Sequence, residues 1–440
     1  MTIRAALRPL FPSLACLLWF SAALAPRDAQ PRPASQNAEL QYVVILSRHG
    51  VRSPITQPGA NDQYSAAPWP KWDVRPGYMT AQGYDLMKLF GAWDRVRLSG
   101  QGLFAPSGCS DATHVTIVAD SDQRTRETGK ALAEGMFPGC SIEVHAKGEG
   151  TSDPLFRMPG NLRPGDPATA AEAIAGRIGG DPKHLTEAYR PQLAELDRVL
   201  AGCGNVSSSA KKRTSIFDVP ATLGDGSEYS SGYRGPVSVA STLVQNLLLE
   251  YTTGMSAANT GWGCVDGATL RELMQLDTAF WEFSFRTPTI ARVDASNLLD
   301  HIQRSMEQNV TGKPVAGALG KPDDRMLILV GHDSNIATVS GALAIGWIID
   351  GRVNDTPPGG ALLFELWRPR DGGQPFVRLE YTAQTLEQMR EKQTLTDANP
   401  PALASVFVPG CSRLDNSCSW DGFDAVMHAA INPAHVNTEP

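Results

Sequence analysis

Three stretches of the chain are almost continuously apolar for the length of one strand, and each stops at a cluster of ionisable residues. Tyr42-Val-Val-Ile-Leu-Ser47 ends at Arg48-His49-Gly50, and His114-Val-Thr-Ile-Val-Ala119 ends in Asp120-Ser-Asp-Gln-Arg124. Arg325-Met-Leu-Ile-Leu-Val330 ends at Gly331-His332-Asp333. An unbroken apolar run, rather than an alternating one, is the pattern of a parallel strand buried on both faces. Helical patterns follow two of them: Thr125 to Met136, and a helix through Ala344 for which Ser334 is the predicted N-cap. Ala361 to Trp367 and Phe376 to Tyr381, separated by Arg370-Asp-Gly-Gly-Gln374, predict an antiparallel hairpin at the sheet edge.

Between about 150 and 285 the period changes. Ala168 to Gly176, His184 to Leu200, Val237 to Tyr251 and Leu270 to Phe285 carry apolar residues at three and four spacing, as amphipathic helices do. The predicted fold class is therefore α/β: a three-layer domain with a mostly parallel central sheet, formed by residues 38–150 and 286–440, and a mostly helical smaller domain inserted at 151–285. In open α/β sheets ligands bind beyond the carboxyl ends of the strands. The three ionisable clusters are thus candidates for one site.

The 440 residues, 42% of them apolar, support a sizeable core and two to three domains, and exclude disordered and fibrous classes. A formal charge of −7 gives no overall reason to bind nucleic acid or an anionic membrane surface, so positive charge for an anionic substrate must be local. The amino terminus changes the picture further. Arg4 and Arg8 precede an apolar run from Leu14 to Ala25 that ends with Ala23 and Ala25 spaced as a signal peptidase site requires. Residues 1–25 therefore read as a secretion signal, too short to span hydrocarbon, whose removal leaves no stable membrane anchor. It would also remove Cys16, leaving six cysteines at 109, 140, 203, 264, 411 and 418, and an even count in an exported chain favours disulfides. No CxxC or HExxH spacing supports a zinc site, and no cofactor is expected.

Arg48-His49-Gly50-Val51-Arg52-Ser53-Pro54 sets two guanidiniums around one imidazole, in a turn that Pro54 keeps from becoming helix. Guanidinium forks suit a phosphate dianion, and a histidine nitrogen can attack phosphorus. Arg124 can hold a further phosphate oxygen, His332 can donate to the phosphoryl group, and Asp333 can protonate the leaving alkoxide. The fixed cations should depress the pKa of His49, and bound phosphate should raise that of Asp333, which together predict activity below neutrality. A lone Arg-His or His-Asp pair is usually a solvated or capping feature. The pattern RHGxRxP differs, because average residue frequencies give a chance match on the order of 10⁻⁴ in a chain of this length.

With these residues the chain resembles the histidine acid phosphatases, the second branch of the histidine phosphatase superfamily, and the bacterial periplasmic phytases and glucose-1-phosphatases above all. RHGVRSP at 48–54 and HDSN at 332–335 match the two family motifs, and ADSDQRTRETG at 119–129, DPLF at 153–156, NDTPPGG at 354–360 and QTLEQMR at 384–390 resemble the bacterial members. The resemblance implies a phosphohistidine mechanism with His49 as nucleophile and Asp333 as proton donor. It also implies Arg48, Arg52, Arg124 and His332 as phosphate ligands, and no metal. Ile55-Thr56 replaces the Thr-Lys of bacterial phytases, and Gln245 stands where those have Glu, so peripheral charge is lost; Lys71 and Arg75, near Trp69 and Trp72, are candidate replacements. HDSN leans towards glucose-1-phosphatase, NDTPPGG towards phytase.

Cys109 and Cys140 match a bridged pair of the bacterial family. Cys411 and Cys418 close a short loop, and Cys203 and Cys264 are paired by elimination. The expected protein is a periplasmic or secreted acid phosphomonoesterase whose partner is a phosphorylated small molecule, inositol hexakisphosphate first and glucose-1-phosphate or another sugar phosphate as the alternative. A non-catalytic phosphate-ester binding protein is the reading from another class, and retention of both His49 and Asp333 argues against it. A phosphoglycerate mutase-type transferase shares the RHG chemistry but is expected in the cytosol.

Overall fold

The computed structural model describes residues 37–157, 167–204, 213–224 and 232–437. The segment read as a secretion signal lies outside the described residues. In chain order the elements are β1 (Ala38–Arg48), α1 (Ala81–Gly100), β2 (Val115–Ala119), α2 (Gln123–Met136), β3 (Val144–His145), α3 (Pro167–Arg177), α4 (Lys183–Ala188), α5 (Arg190–Leu200), β4 (Thr222–Leu223) and β5 (Tyr233–Arg234). They continue with α6 (Pro236–Thr252), α7 (Gly267–Phe283), α8 (Pro288–Thr311), β6 (Met326–Gly331), α9 (Asp333–Ala342), β7 (Ile348–Ile349), β8 (Arg352–Val353), β9 (Ala361–Pro369), β10 (Phe376–Ala383), α10 (Leu386–Arg390), β11 (Ala402–Val406), β12 (Ser417–Ser419) and α11 (Trp420–Ala430).

The central sheet runs β11-β10-β9-β1-β6-β2-β3, with β12 paired to β10. β1, β6, β2 and β3 are mutually parallel, whereas β9, β10 and β11 are antiparallel additions beside β1. The three apolar runs are the three central strands, and both faces of each are covered. On β1, Val44 and Leu46 pack with Leu327, Leu329 and Phe364 under α8, α9 and α11. Val43 and Ile45 face the other way, with Met326, Ile328 and Leu363, under α1 and α2. This is the three-layer arrangement that continuous apolar runs require. A third apolar cluster lies among α3 to α7, joined by Val51, Leu86, Leu386 and Met389.

Several boundaries differ from the sequence expectation for identifiable reasons. The expected hairpin exists as β9 and β10, but it is interior, because β9 pairs with β1 and β11 forms the edge. The helix expected over 184–200 is two helices, α4 and α5, broken where Pro191 starts the second. The helix after β6 is capped by His332 rather than Ser334, and the Asn335 side chain accepts from the His332 backbone N–H at 2.9 Å. The three disulfides are Cys109–Cys140, Cys203–Cys264 and Cys411–Cys418, as expected.

Candidate active site

The register of the parallel strands brings the ionisable clusters level. Arg48 lies opposite Gly331 and Ala119 opposite Val330, so β1, β6 and β2 end together. The backbone continues the pairing past the strand ends: His49 N–H donates to Gly331 O and Asp120 N–H to Val330 O, both at 3.0 Å. α2 and α9 start at this same edge, and the partial positive charge of their amino ends favours an anion there. Gly331 is required by close approach. A Cβ at that position would lie 2.4 Å from Asn335 Oδ1 and 2.9 Å from the Phe156 ring.

His49 is almost fully buried, and its Nδ1 lies 2.8 Å from the Gly50 carbonyl. A carbonyl can only accept, so the proton sits on Nδ1 and the lone pair on Nε2. Burial, then the guanidiniums of Arg124, Arg52 and Arg48, and His332, hold this imidazole well below the ordinary histidine range. The ring therefore stays neutral, with its Nε2 lone pair free, into acidic solution.

Arg48 is fully buried and firmly held. Its Nη1 donates to Thr356 O at 2.5 Å, and its Nη2 reaches Gln245 Oε1 at 3.1 Å and Asp333 Oδ2 at 2.9 Å. The turn of NDTPPGG thus grips the RHGVRSP loop, and Gly360 O and Gly359 N–H pair with the Arg48 and His49 backbone as well. Arg52 Nη1 donates to Ser53 O, and burial with the neighbouring Arg48 charge pushes its pKa down to about 9. Arg124 Nη2 pairs with Asp122 at 2.6 Å and lies 3.3 Å from His332 Nδ1. Among the described residues the buried Nε atoms of Arg48, Arg52 and Arg124 all make no hydrogen bond. Buried N–H donors of this kind are costly unless something accepts from them.

His332 places its ring 5.5 Å from that of His49, edge to face. Its Nε2–H donates to Asp120 Oδ2 at 2.5 Å, leaving Nδ1 to accept from Arg124. Burial, with Arg124 and Arg157, outweighs Asp120 and lowers the His332 pKa. Burial alone would raise the Asp333 carboxyl, but Arg48, Arg52 and His332 outweigh it and hold it below the usual carboxylate range. Its Oδ1 accepts from the Ser334 backbone N–H.

All six site residues expected from the sequence are therefore brought to one strand-end edge. Others were not anticipated. Arg157 pairs with both Asp120 and Asp122, and Arg124 pairs with Asp122. Arg157 immediately follows the DPLF motif, and Asn335 of HDSN donates to Phe156 O at 2.7 Å, which ties the two motifs together. Gln245 does not occupy the rim. It sits behind Arg48, with its Nε2 donating to Asp277 Oδ2 at 2.6 Å, and burial with the nearby Asp355 charge pushes the Asp277 carboxyl up to about 7. Lys71 and Arg75 are exposed on the loop after Pro54, where the Arg75 carbonyl accepts from Ser53 Oγ at 2.6 Å.

Comparison with known proteins agrees with this geometry. Residues 39–192 and 207–382 match the histidine phosphatase superfamily (branch 2). The chain is 34% identical over 434 residues to phytase AppA of Escherichia coli, covering 96% of this chain and 99% of the relative. It is 29% identical over 424 residues to glucose-1-phosphatase of Salmonella typhimurium, covering 95% and 99%. Among solved structures, a Hafnia alvei phytase in complex with myo-inositol hexakis sulphate superposes with a TM-score of 0.80 at 32% identity, over 91% of this chain and 99% of that one.

Proposed function

The chain belongs to the histidine phosphatase superfamily, branch 2, and on that premise we propose that it hydrolyses inositol hexakisphosphate through a phosphohistidine on His49. It is a phosphomonoester hydrolase of the acid phosphatase type. The observation that carries the reading is an imidazole whose Nε2 is unprotonated, with the guanidinium charges of Arg48, Arg52 and Arg124 all acting on it. A phosphoryl group held by the guanidiniums of Arg48, Arg52 and Arg124 would present its phosphorus to Nε2.

In the first step Nε2 attacks phosphorus, the bond to the alkyl oxygen breaks, and the Asp333 carboxylic proton goes to the leaving oxygen. Water then attacks the phosphohistidine, Asp333 takes its proton, and phosphate leaves with His49 restored. His332 takes up a proton as the dianion arrives, so that Nε2–H stays on Asp120 and Nδ1–H reaches the phosphoryl group. The division into an α/β part of 38–150 and 286–440 and a helical insert of 151–285 belongs to the same reading, with Gln245 on α6 of the insert reaching Arg48. A periplasmic or secreted setting is supported by the signal-like amino terminus and by the three disulfides. No described helix is long and apolar enough to cross a membrane.

Phytate is favoured over glucose-1-phosphate by the higher identity to the phytase. A substrate panel tests it: kcat/KM is expected to be higher for inositol hexakisphosphate than for glucose-1-phosphate or p-nitrophenyl phosphate. A preference for glucose-1-phosphate would move the chain to the alternative.

The pH dependence follows from the signs of the shifts. His49 is depressed, so protonating it requires pH well below its ordinary value of 6.5. Asp333 must be protonated to act as the acid, and in the free enzyme it is held low. For an alkyl phosphate, kcat/KM is therefore expected to fall as pH rises from the acidic side, with no ascending limb near 6.5. An ascending limb there that disappears on changing the nucleophile would contradict the charge assignment.

A further inference from the structure

The Asp120, Asp122 and His332 side chains each offer one donor atom within 4.8 Å of the others, the grouping of a divalent metal site. One guanidinium already touches all three. Arg157 Nε lies 2.9 Å from Asp120 Oδ2, and its Nη2 reaches Asp122 Oδ2 and lies 3.2 Å from His332 Nε2. Asp120 is fully buried and His332 nearly so, whereas the Arg157 side chain is 46% exposed. Arg157 thus covers a mostly buried cluster, in which only Asp122 is part-exposed, from the solvent side, as an entering cation would.

We propose that Arg157 is a positioning residue, the built-in counter-cation that holds the Asp120 and Asp122 carboxylates and denies these three donors to a divalent metal. A carboxylate pair beside an imidazole is a donor set that zinc accepts, with two oxygens, one nitrogen and an open fourth position. A metal there would take the Nε2 lone pair, displace the proton that His332 shares with Asp120, and tie the imidazole and both carboxylates to the ion. A guanidinium balances the same negative charge, has no vacant position to accept the Nε2 lone pair, and so leaves that proton in place. The remaining cation of the cluster, Arg124, keeps its own pair with Asp122. The tether from Asn335 to the Phe156 carbonyl fixes where Arg157 begins, so the position is built by the HDSN and DPLF motifs together.

This role rests on the phosphatase reading, and its test is read by binding rather than turnover so that the two can fail separately. Zinc is titrated calorimetrically into the full-length mature protein as wild type, Arg157→Ala, Arg157→Lys and Arg157→Ala with Asp120→Asn, each checked for native circular dichroism. Arg157→Ala is expected to gain one zinc site about tenfold or more tighter than any in wild type, because a unit charge has left the side of the cation. Adding Asp120→Asn should abolish that site, and Arg157→Lys should bind more weakly than Arg157→Ala. Zinc should also inhibit Arg157→Ala selectively, with recovery on chelation. No gain of zinc affinity in Arg157→Ala, or a gain that survives Asp120→Asn, would overturn the proposal. Arg157→Gln provides the same comparison if the alanine variant does not fold.

Discussion

Replacing His49 with alanine is expected to lower turnover by on the order of 10⁴–10⁶-fold, the usual loss when a covalent nucleophile is removed from otherwise intact machinery. The loss should come without unfolding. The ring belongs to none of the three apolar clusters; its Nδ1 hydrogen-bonds the adjacent Gly50 carbonyl and its edge meets His332. It is also a neutral group among cations, so its removal leaves no charge unpaired. Wild-type protein quenched rapidly during turnover of labelled substrate should carry phosphate on His49. The adduct should survive alkali and be lost in acid, as a phosphoramidate is. Label on a serine or on Asp333 would reject the scheme, as would full activity in the alanine variant.

Strand-end chemistry was legible because topology and composition point the same way. A run such as Tyr42 to Ser47 can be apolar throughout only if both faces are covered, and coverage of both faces implies parallel strands whose carboxyl ends lie together. That inference places Arg48, His49, Arg124, His332 and Asp333 at one edge before any contact is known. Elements with weaker patterns escaped it. β1 begins at Ala38, where Ala38 and Leu40 are buried while Glu39 is exposed, an alternation too short to stand out. β11 is five residues long and pairs only with β10, so its apolar content is small and its place at the edge cannot be read from its own residues.

The supporting residues were hidden for a different reason. Gln245 sits in α6, a helix buried nearly all round, where a polar side chain looks like a packing compromise until its partners are known. Its amide is suited to its place, because the oxygen accepts from Arg48 and the nitrogen donates to Asp277. Arg157 is a single cation behind DPLF, and nothing in its neighbours along the chain announces that it closes a cluster built from residues 35, 37 and 175 positions away. Contacts of this sequence separation are set by the tertiary fold, not by local pattern.

Asp333 offers the most discriminating result, because its role depends on the leaving group. An alkoxide released from inositol or a sugar is a strong base and needs a proton in the transition state, whereas nitrophenolate does not. General acid catalysis is typically worth about 10²–10⁴-fold. Asp333→Asn is therefore expected to slow phosphorylation of His49 by alkyl phosphates by that order, and phosphorylation by p-nitrophenyl phosphate far less. The asparagine keeps an oxygen that can accept from Arg48 Nη2, so the guanidinium retains Thr356, Gln245 and a partner at position 333. The acid dependence should weaken with the aryl substrate, since the group whose protonation Arg48, Arg52 and His332 oppose in the free enzyme is gone. Single-turnover rates are needed, because in the steady state a slow dephosphorylation step, in which Asp333 takes the proton of water, would slow both substrates alike. Equal losses on the two substrates in a single turnover would assign Asp333 to orienting the phosphoryl group through Arg48, and the proton would then have to come from another acid at the strand ends.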